Sequence, residues 1–220
     1  YAFQLGNEMT QYQNLHDDFV RLRALINSIW RSAATRPLLV GHDQNLETVG
    51  DGPIMARPLS RFMEGVKEVI DVFTWHHYNA KGSDPTLRDR MLSNEFLDLT
   101  LTPTMRRMLA IWRVKAPAAR TWLSEGAAAW ASGAEGLTNT FYSSFYYADA
   151  LATLSAARVS AHCRQTLLGG YYGLLNRETF EPNPDFWVAK LHNDLMGRRV
   201  LRARASPRAG SAVQPPPRTY

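Results

Sequence analysis

The chain has 220 residues, 45% of them apolar and 20% charged, with 14 Gly and 12 Pro, a composition that excludes a disordered or collagen-like polypeptide and suffices for one sizeable core. No apolar run approaches the roughly 20 residues of a membrane-spanning helix, and no secretory signal opens the chain. The net charge of +5 is uneven: Arg198, Arg199, Arg202, Arg204, Arg208 and Arg218 end the chain without an acid, and the other 19 basic residues face 20 acids, so the body lacks the basic excess that nucleic acid would demand.

In chain order, five short apolar or β-rich runs alternate with helical segments: Ala2–Leu5, Pro37–Gly41, Ile70–His76, Arg120–Leu123 and Arg158–Ala161. That alternation is the pattern of a parallel sheet with crossover helices. After the first run, Leu15, Phe19, Leu22, Leu25, Ile26 and Ile29 recur three or four apart and predict an amphipathic helix. Phe62, Val66 and Val69 mark a second, Met105, Met108, Leu109 and Trp112 a third, and Phe141, Phe145, Ala148 and Leu151 a fourth. A fifth runs from Pro184 to Leu195, opening on Pro and then Asp. Trp30, Trp112 and Trp187 sit at core spacing, whereas Trp130 suits either packing or a sugar platform. The stretch Tyr171–Phe180 reads as a hairpin after the last strand.

Five such units exceed a small two-layer domain and fall short of an eight-stranded barrel, so three units are expected before Tyr1. Residues 1–201 then form the C-terminal part of an α/β (β/α)8 barrel, about strands 4 to 8. The Arg- and Pro-rich stretch 202–220 reads as a disordered tail. A lone Cys163 allows no internal disulfide and is expected as a small buried hydrophobe near the end of the last strand.

Two glutamates stand where a barrel enzyme places its chemistry, at strand C-termini: Glu8 after Phe3-Gln4-Leu5, and Glu125 at the end of Thr121-Trp122-Leu123. With two strands between theirs, their ends face one another across part of the mouth. Glycoside cleavage uses such a pair, a carboxylic acid that protonates the leaving oxygen and a carboxylate that attacks, about 5 to 5.5 Å apart in retaining enzymes. Either glutamate alone reads as a solvated surface group. The adjacent His76 and His77 point to opposite faces of a strand and so do not form a pair of metal ligands; no metal is expected.

Four ordered blocks carry a family resemblance: Phe3-Gln4-Leu5-Gly6-Asn7-Glu8; Glu68-Val69-Ile70-Asp71 leading into Thr74-Trp75-His76-His77-Tyr78; Thr121-Trp122-Leu123-Ser124-Glu125; and Arg164-Gln165 before Gly169-Gly170. From Ala2 to Leu201 the chain resembles glycoside hydrolase family 79, the heparanase family. The resemblance implies a (β/α)8 barrel with Glu8 as general acid/base and Glu125 as nucleophile of a retaining mechanism, without a cofactor. Asn7 would hydrogen-bond the sugar 2-hydroxyl, and Tyr78 would orient Glu125 and keep it ionised while Glu8 is held protonated. His76, Gln165 and Tyr172 would line the sugar pocket, with a one-residue ambiguity between Tyr171 and Tyr172.

The resemblance also has departures. Where the family carries a Gly-Gly pair whose backbone N–H groups hold a uronate carboxylate, this chain has Ala131 and Ser132, which adopt positive φ less readily. Where heparanases present basic side chains to sulfated sugars, Asn14 and Gln44-Asn45-Leu46-Glu47 stand instead, which favours a β-glucuronidase acting on less sulfated glycans. The implied partners are a uronic acid-containing polysaccharide or glycoconjugate and an N-terminal barrel segment; the implied setting is secreted, lysosomal or membrane-associated. The competing readings are a catalytically impaired carbohydrate-binding module and a polyanion or membrane-surface binder working through the arginine tail.

Overall fold

The computed structural model describes residues 1–8, 15–45 and 62–201. Asn14, Leu46, Glu47 and the tail at 202–220 therefore lie outside the described residues. Five strands form one parallel sheet in the order β1-β2-β3-β4-β5: Ala2–Gln4, Leu38–Asn45, Val72–Lys81, Arg120–Trp130 and Ala161–Arg164. Every neighbouring pair is parallel and every crossover carries helix, as the alternating pattern requires. The result is a curled half-barrel, whose outermost strands β1 and β5 each pair, among the described residues, on one side only.

The helices pack on the outer face of this sheet. In the helix Leu15–Ile29, Leu15, Phe19 and Ile26 are buried, and Phe19 presses so closely on β2 that a Cβ at Gly41 would stand 2.2 Å from its ring. The same helix buries Arg23, which donates to the Val69 carbonyl at 2.8 Å and pairs with Asp71, while Asp71 also accepts the Leu39 N–H at 2.7 Å. One arginine thus ties the first helix to the base of β2 and β3. The helix Pro103–Lys115 starts where the Thr102 hydroxyl accepts the Met105 N–H and Pro103 occupies the first turn. Its Met105, Met108, Leu109 and Trp112 are buried as the periodicity predicts, with Trp112 stacked on Phe73 at 4.5 Å.

A second core lies toward the strand C-termini. There β3 and β4 run on past the other strands, pairing as far as Lys81 with Trp130, and Ala80, Ala128 and Ala129 are covered by Leu87, Met91, Phe96, Tyr146 and Tyr147. The three alanines let the helices approach the sheet closely.

Several expectations need correcting. In the helix Phe141–Ala156 the buried face holds Tyr146, Tyr147, Ala150 and Leu154, whereas Phe141 and Phe145 are exposed and pack edge-to-face on each other. The helix is apolar on both faces, and the buried face is the one whose Ser143 and Ser144 reach Asp185. Trp187 is 52% exposed, because the helix Pro184–Leu195 turns Asp185 inward and leaves Trp187, Leu191 and Leu195 outward. Cys163 is exposed, since β5 is an edge strand starting three residues later than its apolar run suggested. The 171–180 region is an irregular loop with an isolated antiparallel bridge between Leu175 and Pro182, tightened where Asn176 accepts the Phe180 N–H.

Candidate active site

The strand ends gather the ionisable groups singled out above. Glu8 follows β1 in the left-handed region, φ 48°, and its N–H donates to the Asp43 carbonyl at 2.9 Å. That bond fixes the short Gly6-Asn7-Glu8 exit against the end of β2. Glu125 lies within β4 rather than at its end, beside a register shift between Leu123 and Gly126. A bulge of this kind re-aims a side chain, and it turns Glu125 toward the mouth.

A Glu8 carboxylate oxygen, a His76 ring nitrogen and a Glu125 carboxylate oxygen all lie within 4.8 Å of one another. His76 Nδ1 is 3.0 Å from Glu8 Oε1 and 3.8 Å from Glu125 Oε2, and the Tyr78 hydroxyl donates to Glu125 Oε1 at 2.7 Å. Burial and accessibility divide the roles: His76 and Asp43 are buried, but the side chains of Glu8 and Glu125 are 51% and 28% exposed. The two carboxylates are open to a ligand, and their supports are not.

The electrostatics follow from this arrangement. Burial works to depress the His76 pKa, but the facing carboxylates of Asp43, Glu8 and Glu125 outweigh it and hold the imidazole above its ordinary value. Burial likewise opposes ionisation of Asp43, yet hydrogen bonding from His76, Ser124 and Thr74 leaves its pKa below the usual carboxylate range. For Tyr78, burial and then the Glu125 carboxylate push the phenol far above its normal value, so it acts as a donor. His77 points the other way, its Nε2 3.0 Å from Asn79 Oδ1, and burial lowers its pKa to about 4.

The Glu8–His76–Glu125 cluster has the spacing of a metal site, but the nearest partner of His76 Nδ1 is the Glu8 carboxylate, at 3.0 Å. Both ring nitrogens of His76 face carboxylates, Nδ1 toward Glu8 and Nε2 toward Asp43 at 3.5 Å.

The remaining sequence candidates are distributed as follows. Asn7 is exposed beside Glu8. Ala131 and Ser132 hold φ of 56° and 67°, so the backbone keeps the left-handed conformation even without glycine. The Ser132 carbonyl accepts the Tyr171 N–H at 2.6 Å, which brings the 169–173 loop against this turn. Tyr172 lies near enough to Tyr78 to contribute to the rise of its pKa, and the Tyr171 hydroxyl accepts from Arg177. Gln165 is half-buried just past β5, with its N–H on the Gly126 carbonyl at 3.0 Å. Trp130 is 47% exposed under the Lys81 ammonium, 4.9 Å from the ring centroid.

Asp43 escaped the sequence reading. It is 1% exposed, has φ 56°, and sits at the register shift between His42 and Gln44 in β2. The available signal was a polar run, His42-Asp43-Gln44-Asn45, directly continuing an apolar strand at the end where the glutamates emerge.

Residues 2–152 match the model of the N-terminal domain of glycosyl hydrolase family 79. The sequence is 34% identical over 215 residues to the heparanase of Mus musculus, 32% over 209 to heparanase-like protein 2 of Arabidopsis thaliana, and 31% over 212 to the baicalin-β-D-glucuronidase of Scutellaria baicalensis. These alignments cover 91–92% of this chain but 37–38% of the relatives, so the chain spans little more than a third of their length. In solved structures the fold resembles two family 51 arabinofuranosidases, TIM-barrel glycosidases from Bifidobacterium longum and Xanthomonas axonopodis pv. citri. Their TM-scores are 0.57 and 0.58 at 12% and 17% identity, covering 86–87% of this chain and 42–44% of theirs. The chain is part of a barrel of the glycosidase type. It belongs to glycosyl hydrolase family 79.

Proposed function

We propose that this chain carries the catalytic pair of a retaining glycosidase acting on β-linked uronic acid-containing glycans. The observation that carries the reading is the placement of two solvent-reachable glutamates, one just after β1 and one within β4, with carboxylate oxygens inside 4.8 Å and different hydrogen-bond partners. That closeness suits direct attack more than the wider gap that accommodates a water in inverting enzymes. Glu125, oriented by the Tyr78 hydroxyl, attacks the anomeric carbon and forms a glycosyl-enzyme ester. Glu8 gives its proton to the departing oxygen, then takes one from the water that cleaves the ester. Asn7 supplies a hydrogen bond to the sugar 2-hydroxyl, and His76, Gln165 and Tyr172 line the pocket.

Uronate recognition is supported by the left-handed backbone at Ala131 and Ser132, which can aim N–H groups at a carboxylate despite the missing glycines. Relatives named as a glucuronidase and as heparanases support the same substrate class. The open edges of β1 and β5 support a partner role for an N-terminal barrel segment, and family membership supports a secreted, lysosomal or membrane-associated setting. Among the described residues no helix is long and apolar enough to cross a membrane.

The test is labelling of the full chain with a glucuronide-configured cyclophellitol-type probe, in wild type and in Glu125→Gln. The expected result is a covalent adduct at Glu125 that the variant abolishes. A folded wild-type chain that binds glucuronides but stays unlabelled would replace this reading with that of a carbohydrate-binding module.

A further inference from the structure

We propose that Asp43 is a positioning residue for this site: its carboxylate fixes the His76 ring with Nε2 toward itself and Nδ1 toward Glu8, while its other contacts lock together the segments carrying Glu8 and Glu125. The consequence for catalysis rests on the glycosidase reading above; the positioning of the ring does not.

Four contacts converge on this residue. Its carbonyl accepts the Glu8 N–H at 2.9 Å, which ties the acid/base segment to β2. One carboxylate oxygen, Oδ1, accepts from the hydroxyl of Ser124, the residue preceding Glu125, and the same oxygen lies 3.5 Å from His76 Nε2. Ser124 also reaches the Trp75 carbonyl at 3.2 Å, and the Asp43 N–H donates to the Thr74 hydroxyl at 3.1 Å, so β2, β3 and β4 are pinned around a single residue. Asp43 is 1% exposed and holds a left-handed φ of 56°, a conformation that costs energy outside glycine and is retained where surrounding contacts determine it.

A histidine whose Nε2–H faces a buried carboxylate has its tautomer decided. Its Nδ1 then meets Glu8 at 3.0 Å with one proton between the two atoms. In that arrangement His76 receives the Glu8 proton or returns it without any group rotating, and Asp43 stays ionised throughout. No heavy-atom bond forms or breaks, and the proton stays within the Glu8–His76 pair until a leaving oxygen accepts it.

The groups around His76 come from every strand beside it. They are Glu8 from the loop after β1, His42 and Asp43 from β2, and Glu125 from β4, with Tyr78 of its own strand holding Glu125. Of these, Asp43 is the buried carboxylate opposite Nε2.

The experiment is a two-bond 1H–15N correlation of the imidazoles in the full chain, followed against pH. The wild type should show His76 protonated at Nε2 with a midpoint above that of an ordinary histidine. Asp43→Asn, near in shape, should lower that midpoint by about 1 unit or more and populate the other tautomer. Ser124→Ala, which leaves the carboxylate in place, should move it less. The basic limb of the labelling rate should shift to lower pH in Asp43→Asn and return toward wild type in Asp43→Glu. A wild-type His76 carrying its proton on Nδ1, or equal midpoints in wild type and Asp43→Asn, would overturn the proposal. Unlabelled protein with the expected imidazole response would instead overturn the glycosidase reading alone.

Discussion

Two of the buried charge clusters among the described residues differ in what they leave over. At the sheet edge, Arg164 and Asp185 pair at 2.7 Å with side chains only 4% and 2% exposed, and Ser143 and Ser144 complete the shell of Asp185 at 2.7 and 3.0 Å. At the barrel mouth, Asp43 and His76 are as deeply buried, yet their contacts end on Glu8 and Glu125, which reach solvent. Both clusters set a carboxylate against a nitrogen-bearing side chain, with hydroxyl support. The closed cluster spends its charge on joining the helices 141–156 and 184–195 to β5, whereas the mouth holds two carboxylates in place and keeps them available. Of these two clusters, only the one whose buried groups support exposed carboxylates is placed to meet a ligand.

The sharpest way to break that comparison is to neutralise one member of each cluster. Glu125→Gln should reduce glucuronide hydrolysis by on the order of 10⁴-fold or more, measured as steady-state rate, with little change in melting temperature. A matching drop in stability would show that Glu125 serves the fold. Asp185→Ala should do the opposite. Stripping the partner from buried Arg164 is expected to cost about 3–5 kcal/mol in urea denaturation. A loss below about 1 kcal/mol would mean that Arg164 finds solvent without unfolding.

Acid should separate the clusters from the rest of the sheet. Burial holds His42 and His77 near pKa about 4 and His162 near about 3. These folded values lie below the unfolded one, so the unfolded chain binds more protons, and stability falls as pH drops from about 6.5 toward 4. The combined loss is on the order of several kcal/mol. His76 has the opposite sign: its contribution is complete below about 6.5 and disappears as pH rises through its raised folded pKa. Equal urea midpoints at pH 7 and 4.5 would contradict the burial of the three neutral rings. A finer probe of the mouth is Tyr78→Phe, which removes the 2.7 Å donor from Glu125 and should slow turnover by roughly 10²-fold at unchanged stability. A rate within a factor of two of wild type would leave Glu125 oriented by its strand alone.

The sequence made the closed parts of this molecule legible more readily than the bulged ones. Met105, Met108, Leu109 and Trp112 announced their face because a helix with one apolar side has a single way to pack. Phe141 and Phe145 misled because their helix is apolar on both sides, and the choice of face fell to the Ser143–Asp185 contact, which crosses 42 residues. Strand identity was readable, but strand length was not: β3 and β4 continue to Lys81 and Trp130 because they pair with each other past the ends of their neighbours. At the mouth, Glu8 and Glu125 could be picked out from their place after apolar runs. Asp43 could not, since its role depends on a bulge in β2 that brings together groups from β1, β3 and β4.

The smallest effect concerns backbone strain beside the mouth, and two mutations of opposite direction measure it. Ala131 and Gly136 both have positive φ, 56° and 65°, but only one of them is a glycine. A side chain in this region costs roughly 1–2 kcal/mol, partly offset in comparisons with glycine by the greater freedom glycine has when unfolded. Nothing lies within 4 Å of a Cβ built at Gly136, so Gly136→Ala should destabilise by about 1 kcal/mol through φ alone. Ala131→Gly should be neutral or stabilising by up to about 1 kcal/mol. If Ala131→Gly instead destabilises, the methyl group is making contacts worth more than the strain, and the turn was rebuilt around alanine rather than merely tolerating it. If it stabilises and also raises the glucuronide labelling rate, the strain at this turn hinders the N–H groups from meeting a carboxylate, and the departure from glycine is a departure in specificity.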